Sequence, residues 1–149
     1  MKLSPAGEAL IKGFENCKFV SYPDSKGLWT IGVGHTGFYS PGVPVGPGQT
    51  CTDEQAELWF IGDTSKAVAD VNLFLSVSVN QNQFDALVSF TYNVGGQALE
   101  HSTLIRDINE GDPNDAANEF LKWDHCAGKE LAGLKRRRKA ERAYFLQAA

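Results

Sequence analysis

The sequence has few of the residues that build metal sites and disulfide frameworks. Among its 149 residues are three cysteines, Cys17, Cys51 and Cys126, and three histidines, His35, His101 and His125. The cysteines are odd in number and lack Cys-x-x-Cys spacing, which argues against a full disulfide framework or a zinc knuckle. The histidines are scattered, and no glycine motif of the phosphate-binding type is present. We therefore expect neither a metal nor a cofactor.

A long apolar run at the start is also missing. The first eight residues, Met-Lys-Leu-Ser-Pro-Ala-Gly-Glu, reach proline and glutamate before an apolar run develops. This predicts neither a signal peptide nor a spanning helix, so we expect synthesis in the cytoplasm and no stable membrane insertion. With 42% hydrophobic, 11% aromatic and 21% charged residues, the chain is expected to form one compact domain. We also expect a monomer, although composition does not determine the oligomeric state.

Positive charge is scarce outside one segment. Residues 135–142 carry six positive charges and one negative charge, a local charge of +5 within a net charge of −4, which leaves −9 elsewhere. A protein that coats nucleic acid needs a broad positive surface, so we expect no nucleic-acid partner. Helical spacing from Ala140 and Tyr144 places Arg137 on the inward face of a final helix and Arg136 and Arg138 outward.

The N-terminal part changes from helical periodicity to strand periodicity. Ser4 and Pro5 predict the start of a helix over about 4–14. From about 18–33 the period is two, with a Pro-Asp turn in the middle, which predicts a β-hairpin. On its return strand, Thr30 and Gly32 share a face that we expect to be small, polar and open to a ligand.

The remainder is mostly helical and gives the fold class α+β. A capping box at 52–55 predicts a long helix, and an apolar stretch after Asn80 predicts a buried helix that stops at Gly95. The other predicted segments are a loop over 34–49, helices over 102–109, from 113 and over 135–147, and an irregular loop over 123–134. Within the single domain 1–149 we expect a small lobe over about 13–55 with helix 4–14 packing at the lobe junction, a linking helix over about 53–75 and a helical lobe over about 76–149.

Two carboxylates flank the first strand of the predicted hairpin. Glycosidic cleavage requires one protonated acid and one ionised carboxylate. Glu15 follows the C-terminal end of a helix beside apolar residues, and both features disfavour its ionised form. Asp24 lies in a polar turn, which favours ionisation, and the hydroxyl of Thr30 is placed to hold a water. Singly, each is an ordinary turn or strand residue; together they favour a glycan-hydrolysing site.

The spacing of these residues resembles a known pattern. Eight residues separate Glu15 from Asp24, and five separate Asp24 from Thr30, in a segment ending Thr-Ile-Gly-Val-Gly-His-Thr. This resembles the active-site segment of phage-type lysozymes (endolysins), glycoside hydrolase family 24. Further matches are Asn-Gln-Asn-Gln-Phe-Asp-Ala-Leu from 80, Asn-Val-Gly from 93, Ser-Thr-Leu from 102 and the basic run from 133.

The resemblance implies a lysozyme-like fold and a muramidase that cleaves the β-1,4 bond between N-acetylmuramic acid and N-acetylglucosamine with inversion. It implies that Glu15 is the proton donor, Asp24 the second catalytic acid and Thr30 the residue that positions the attacking water. His35 matches a histidine with a structural role. Arg137 matches an arginine that pairs with the catalytic glutamate, which would favour ionised Glu15 and oppose the helix-end effect.

Other implied roles have alternatives in the sequence. Tyr92 and Asn93 fall where the family lines its cleft, so they are candidates to pack against a sugar and to bind an acetamido group. The alternative is a core aromatic residue and a helix-capping asparagine. Lysis of the cell wall by a protein without an export signal implies release by a holin-type partner, with action in the periplasm. Two other functions are a glycan-binding module without turnover and a transglycosylase that works with a single acid.

Overall fold

The computed structural model describes residues 1–148 and forms two compact units. One, which we call the hairpin unit, comprises Lys12–Ser65; the other, the helical unit, combines Met1–Ile11 with the chain from Lys66 onward. Helices and small antiparallel sheets occur together, so the expected α+β class is confirmed. The single-domain description and its lobe boundaries stay predictions.

The first helix, α1, spans Pro5–Phe14 and begins as predicted. The Oγ of Ser4 accepts a hydrogen bond from the N–H of Gly7 at 3.1 Å, which satisfies one of the free donors of the first turn. The same hydroxyl donates to the carboxylate of Asp85. Because α1 ends at Phe14, Glu15 lies immediately beyond its last turn.

The predicted hairpin consists of β1, Cys17–Pro23, and β2, Trp29–Val33. Lys18 lies opposite Gly32 and Tyr22 lies opposite Thr30, so β1 has three residues between these pairs where β2 has one. At this bulge β1 makes a hydrogen bond outside the hairpin, because the N–H of Ser21 donates to the carbonyl of Gln49 at 2.9 Å.

A second small hairpin occupies part of the predicted loop 34–49. Its strands are β3, Phe38–Ser40, and β4, Val43–Pro44.

The long helix α2, Asp53–Phe74, has the predicted capping box. The N–H of Gln55 donates to Thr52 Oγ1 at 3.2 Å, and the Thr52 N–H donates to Gln55 Oε1 at 2.9 Å. Its first turns pack against β2, since a Cβ at Gly32 would lie 3.3 Å from the Cβ of Ala56. The expectation of an open face is therefore wrong: Thr30 is only 3% exposed. Gly32, with a φ of +63°, also breaks the regular alternation of the strand.

In the helical unit, α3 spans Gln81–Val94 and has the predicted limits. Asn80 and Gln83 form a capping box, all residues of 84–91 are buried, and Gly95 is the C-cap. The other elements are α4 (Gly96–Glu100), α5 (Thr103–Glu110), α6 (Pro113–Glu119), a 3-10 turn (Phe120–Lys122), β5 (His125–Cys126), β6 (Lys129–Glu130) and α7 (Ala132–Phe145). Across residues 1–148, no helix is both long and apolar enough to cross a membrane.

Two expectations for this unit need correction, and one helix was not predicted. A new helix, α4, begins directly after the stop at Gly95. The supposed irregular loop over 123–134 contains the β5/β6 hairpin. α7 begins at Ala132 instead of near Lys135, because its N-cap residue is Leu131, which supplies no side-chain hydrogen bond that a sequence pattern would reveal.

An aromatic cluster fills the core of the helical unit. Phe90 of α3 meets Phe120 and Trp123 edge to face at centroid distances of 5.5 and 5.2 Å, and Phe120 contacts Phe145 of α7. Such pairs add specific geometry to the apolar burial. They fix α7 against α3, which carries two of the predicted site residues.

Candidate active site

Glu15 is half-buried and lies against the backbone of Gly34. A Cβ at position 34 would be 2.7 Å from Glu15 Oε2, closer than real carbon atoms approach an oxygen. Gly34 also has a φ of +69°, a conformation that is costly for residues with side chains. The position of the carboxylate after the end of α1 therefore requires a residue without a side chain at position 34.

Asp24 is fixed by the turn that it forms. Its Oδ1 accepts hydrogen bonds from the N–H groups of Lys26 and Leu28, both at 2.8 Å. The backbone closes the same turn, since the N–H of Gly27 donates to the Asp24 carbonyl at 2.9 Å. Within residues 1–148, Asp24 Oδ2 has no hydrogen-bond partner. One carboxylate oxygen thus orients the side chain through two backbone N–H groups.

The proton of the Thr30 hydroxyl is already engaged in a hydrogen bond within the hairpin. Thr30 Oγ1 donates to the carbonyl of Leu28 at 2.9 Å. A hydroxyl has a single proton and two lone pairs, so with its proton engaged it can only accept. Thr30 can therefore only accept any further hydrogen bond.

Tyr22, which the sequence analysis did not single out, belongs to the same cluster. It is half-buried directly opposite Thr30, and Lys18 Nζ lies 4.2 Å from its ring centroid. Burial, followed by the negative charges of Glu15 and Asp24, raises the pKa of Tyr22 above its ordinary value. Both carboxylates therefore act electrostatically on one phenol, which keeps its proton at neutral pH.

His35 is buried and bonded through both ring nitrogens. Nδ1 lies 2.8 Å from Asp63 Oδ2 and Nε2 lies 3.0 Å from the carbonyl of Phe38, while the ring stacks on Trp59 at 4.9 Å. Burial alone would lower the pKa of His35, but the hydrogen bonds to Asp63 and Phe38 and the charge of Asp63 raise it overall. These contacts hold the segment after β2 on α2 and support a structural role.

A cleft of about 350 Å³ in the hairpin unit borders one side of Glu15. It is lined by Lys12, Glu15, Asn16, Cys17, Val33, Asp53, Ala56 and Glu57. The cleft reaches neither Asp24 nor Thr30.

In the helical unit, Tyr92 and Asn93 occupy the last turn of α3 and are half-buried. Asn93 Oδ1 accepts from Arg138 Nη2. A guanidinium can only donate, so this contact fixes which end of the amide faces it. Asn93 Nδ2 has no hydrogen-bond partner among residues 1–148. The capping alternative for Asn93 is wrong, since Gly95 is the C-cap and donates to the carbonyl of Thr91.

Arg137 is buried, as its inward spacing predicted, and is bonded within the helical unit. Its Nε donates to Glu141 Oε1 at 2.9 Å, and its Nη2 donates to the carbonyl of Ser89 at 3.0 Å. The pairing of Arg137 with Glu15 stays a prediction from the resemblance.

The expectation that Arg138 points outward is wrong, because it is 1% exposed. Its Nη1 donates to Glu141 Oε2 at 2.6 Å and its Nε donates to the carbonyl of Trp123 at 2.9 Å. The buried stripe of α7 comprises Arg137, Arg138, Glu141 and Phe145. It is centred on Glu141, a buried carboxylate that needs both guanidinium groups as partners.

Comparison with known proteins assigns the chain to a family. The phage lysozyme family profile matches residues 12–141. The chain belongs to the phage lysozyme family. Residues 12–141 include every predicted site residue of both units.

Individual phage lysozyme relatives match over nearly the whole chain. The endolysin of Bacillus phage B103 is 46% identical over 149 residues, covering 98% of this chain and 54% of that protein. The endolysin of Acyrthosiphon pisum secondary endosymbiont phage 1 is 38% identical and covers 99% of this chain and 100% of its own length. The chain thus spans about half the length of the Bacillus phage relatives it matches.

Among solved structures, the muramidase domain of SpmX from Asticaccaulis excentricus is similar, with a TM-score of 0.85 and 37% identity. The match covers 99% of each chain.

Sequence reasoning missed Tyr22, which lies opposite Thr30, and the contact of Gly34 with Glu15; in the helical unit it missed the bond from Arg138 to Asn93. The hairpin register would have revealed Tyr22, but the bulge in β1 shifts the alternation that a sequence pattern relies on. Among the described residues, no three histidine, cysteine or acidic side chains are grouped as a metal site.

Proposed function

We propose that this chain is a muramidase that hydrolyses the β-1,4 bond between N-acetylmuramic acid and N-acetylglucosamine in peptidoglycan. The observation that carries the proposal is that Asp24 is held through Oδ1, with no bond to Oδ2 among residues 1–148, in the turn that leads to Thr30, whose hydroxyl can still accept a hydrogen bond. The names of the relatives, endolysins and a muramidase domain, agree with this activity.

In the proposed reaction, Glu15 donates its proton to the glycosidic oxygen as the bond to the anomeric carbon breaks. Asp24 Oδ2 takes one proton from a water, whose oxygen forms the new bond to that carbon. Thr30 Oγ1 accepts a hydrogen bond from the second O–H of this water, and that proton stays on the water oxygen. A single displacement by water from the opposite side inverts the anomeric configuration.

The helical unit supplies the proposed sugar contacts. Asn93 Nδ2, held by the bond from Arg138 to the other end of its amide, donates to an acetamido carbonyl. Tyr92 packs its ring against a sugar face, a contact common at sites where one side of an aromatic residue is exposed.

We further propose that the chain is made in the host cytoplasm, is released by a membrane-permeabilising partner of the holin type and acts in the periplasm as a monomer. Lysis of the wall then frees the phage. Expression in Escherichia coli should leave turbidity stable until the inner membrane is opened, and lysis without any permeabilising agent would contradict this route.

Glu15→Gln provides the test of the activity. We expect the variant to lose at least about a hundredfold in the rate of turbidity loss of chloroform-treated Gram-negative cells, since a positioned acid contributes about that much or more. Glu8→Gln is the matched control, because Glu8 is an exposed carboxylate on the same helix. It should lyse cells at the wild-type rate.

The product ends separate the alternatives. A muramidase releases reducing ends from purified peptidoglycan, and mass spectrometry should find intact N-acetylmuramic acid there. Anhydro-muramic ends would identify a transglycosylase. Binding to peptidoglycan without release of ends would identify a binding module.

A further inference from the structure

In the proposed reaction, Asp24 and Thr30 bond both protons of the attacking water but leave one of its lone pairs without a hydrogen-bond donor. One O–H of the water faces Asp24 Oδ2. The other donates to Thr30 Oγ1, which can only accept because its own proton is bonded to the carbonyl of Leu28. One water lone pair must point at the anomeric carbon. The second lone pair requires a donor, which neither Asp24 nor Thr30 supplies.

Tyr22 is a donor on the correct face of the hairpin. Residues directly opposite in an antiparallel pair project from the same side of the sheet, so the phenol stands beside Thr30. Within residues 1–148 its hydroxyl makes no hydrogen bond, and the side chain is half-buried. The hydroxyl is therefore available to bond a water molecule or the substrate.

We propose that Tyr22 is a positioning residue of the reaction, whose O–H donates a hydrogen bond to the attacking water and directs its free lone pair at the anomeric carbon. This rests on the proposed function and deepens it. The raised pKa of Tyr22 agrees with the role, because a donor must keep its proton. Lys18, placed over the ring, limits its movement.

Tyr39 shows what a purely structural phenol looks like in the same unit. Its hydroxyl donates to the carbonyl of Thr50 at 2.6 Å and so stabilises the fold. The two tyrosines therefore form a matched pair, one with a protein partner for its hydroxyl and one without.

The experiment compares Tyr22→Phe with Tyr39→Phe on purified peptidoglycan, with initial rates of reducing-end release measured over a range of substrate concentrations. We expect Tyr22→Phe to lower kcat by about tenfold, the effect of one hydrogen bond lost in the transition state, with KM within about twofold. Its midpoint of thermal unfolding should match wild type. Tyr39→Phe should keep kcat and unfold at a lower temperature.

A double-mutant cycle with Thr30→Ala supplies a second readout. Because Tyr22 and Thr30 hold the same water, the two losses in kcat should be less than multiplicative. Fully multiplicative losses would contradict a shared water.

Three outcomes would overturn the role of Tyr22. The first is a kcat for Tyr22→Phe within about twofold of wild type, and the second is a rise in KM alone, which would indicate a sugar contact. The third is loss of thermal stability in parallel with activity. Each leaves the proposed function intact provided that wild type releases reducing ends and Glu15→Gln does not; if wild type releases none, the proposed function itself fails.

Discussion

Gly34 connects backbone conformation directly to the position of the proposed proton donor. A side chain there would meet the Glu15 carboxylate at 2.7 Å and would also strain a backbone with a φ of +69°. Glycine at this position thus serves the site as well as the turn. The sequence motif contains this glycine, but the contact with Glu15 depends on where α1 ends.

We predict that Gly34→Ala displaces the Glu15 carboxylate and lowers the lytic rate by tenfold or more, on the order of the cost of a misplaced catalytic group. The left-handed backbone adds a stability loss of about 1–2 kcal/mol. Turbidity assays and thermal unfolding measure the two effects. Gly62→Ala is the control, because Gly62 lies in helix α2 and a Cβ there would meet no atom within 4 Å. Wild-type activity in Gly34→Ala would contradict the prediction.

At the scale of elements, His35 fastens the segment after β2 to α2. Its two ring nitrogens face acceptors, the Asp63 carboxylate and the Phe38 carbonyl, so the doubly protonated ring satisfies both. The resulting pKa is higher in the folded protein than the value of about 6.5 in an unfolded chain. The stabilisation is therefore complete below about pH 6.5 and is lost as pH rises through the folded-state value.

We predict that the free energy of unfolding of wild type decreases from pH 6 to pH 9 relative to that of Asp63→Asn, in which the acceptor charge is removed. Urea unfolding at several pH values measures the difference, and NMR titration of the His35 ring gives its pKa directly. His101→Gln is the control, since His101 is exposed, and it should keep the wild-type slope. If the free energy of unfolding of Asp63→Asn and of wild type changed equally with pH, the His35–Asp63 pair would not be the source of the pH dependence.

At the scale of the whole molecule, the basic run of α7 is divided between solvent and core. Arg137 and Arg138 are buried around Glu141, whereas Lys135, Arg136 and Lys139 remain exposed. In this cluster the Glu141 carboxylate accepts hydrogen bonds from Arg137, from Arg138 and from the hydroxyl of Ser89. Removal of the Glu141 charge would take away the carboxylate to which both buried guanidinium groups donate.

We predict that Glu141→Gln lowers the free energy of unfolding by about 3–5 kcal/mol, the usual cost of breaking a buried ion pair. This is a large part of the total of about 5–15 kcal/mol for a folded domain. Urea unfolding at neutral pH provides the measurement. Glu110→Gln, at an exposed site on α5, should leave stability unchanged, and a comparable loss in both variants would show that the cluster is not the cause.

Much of the local structure could be predicted because its causes are local. The starts at Ser4, Thr52 and Asn80 are set by side-chain hydrogen bonds that span three residues. The turn at Asp24 is equally local. Beginnings without such a signal, at Gly96 and Ala132, were not predicted, because these helices are defined by packing and not by a cap.

The sequence by itself determined the fold class, the helix caps and the spacing of Glu15, Asp24 and Thr30, since each depends on neighbours within a few residues. Only the tertiary structure decided that Thr30 is buried, that Tyr22 stands opposite it and that Arg138 lies in the core. Burial and register depend on which element packs against a given face. That information is spread over distant parts of the chain, as in the contact of Arg138 with Asn93.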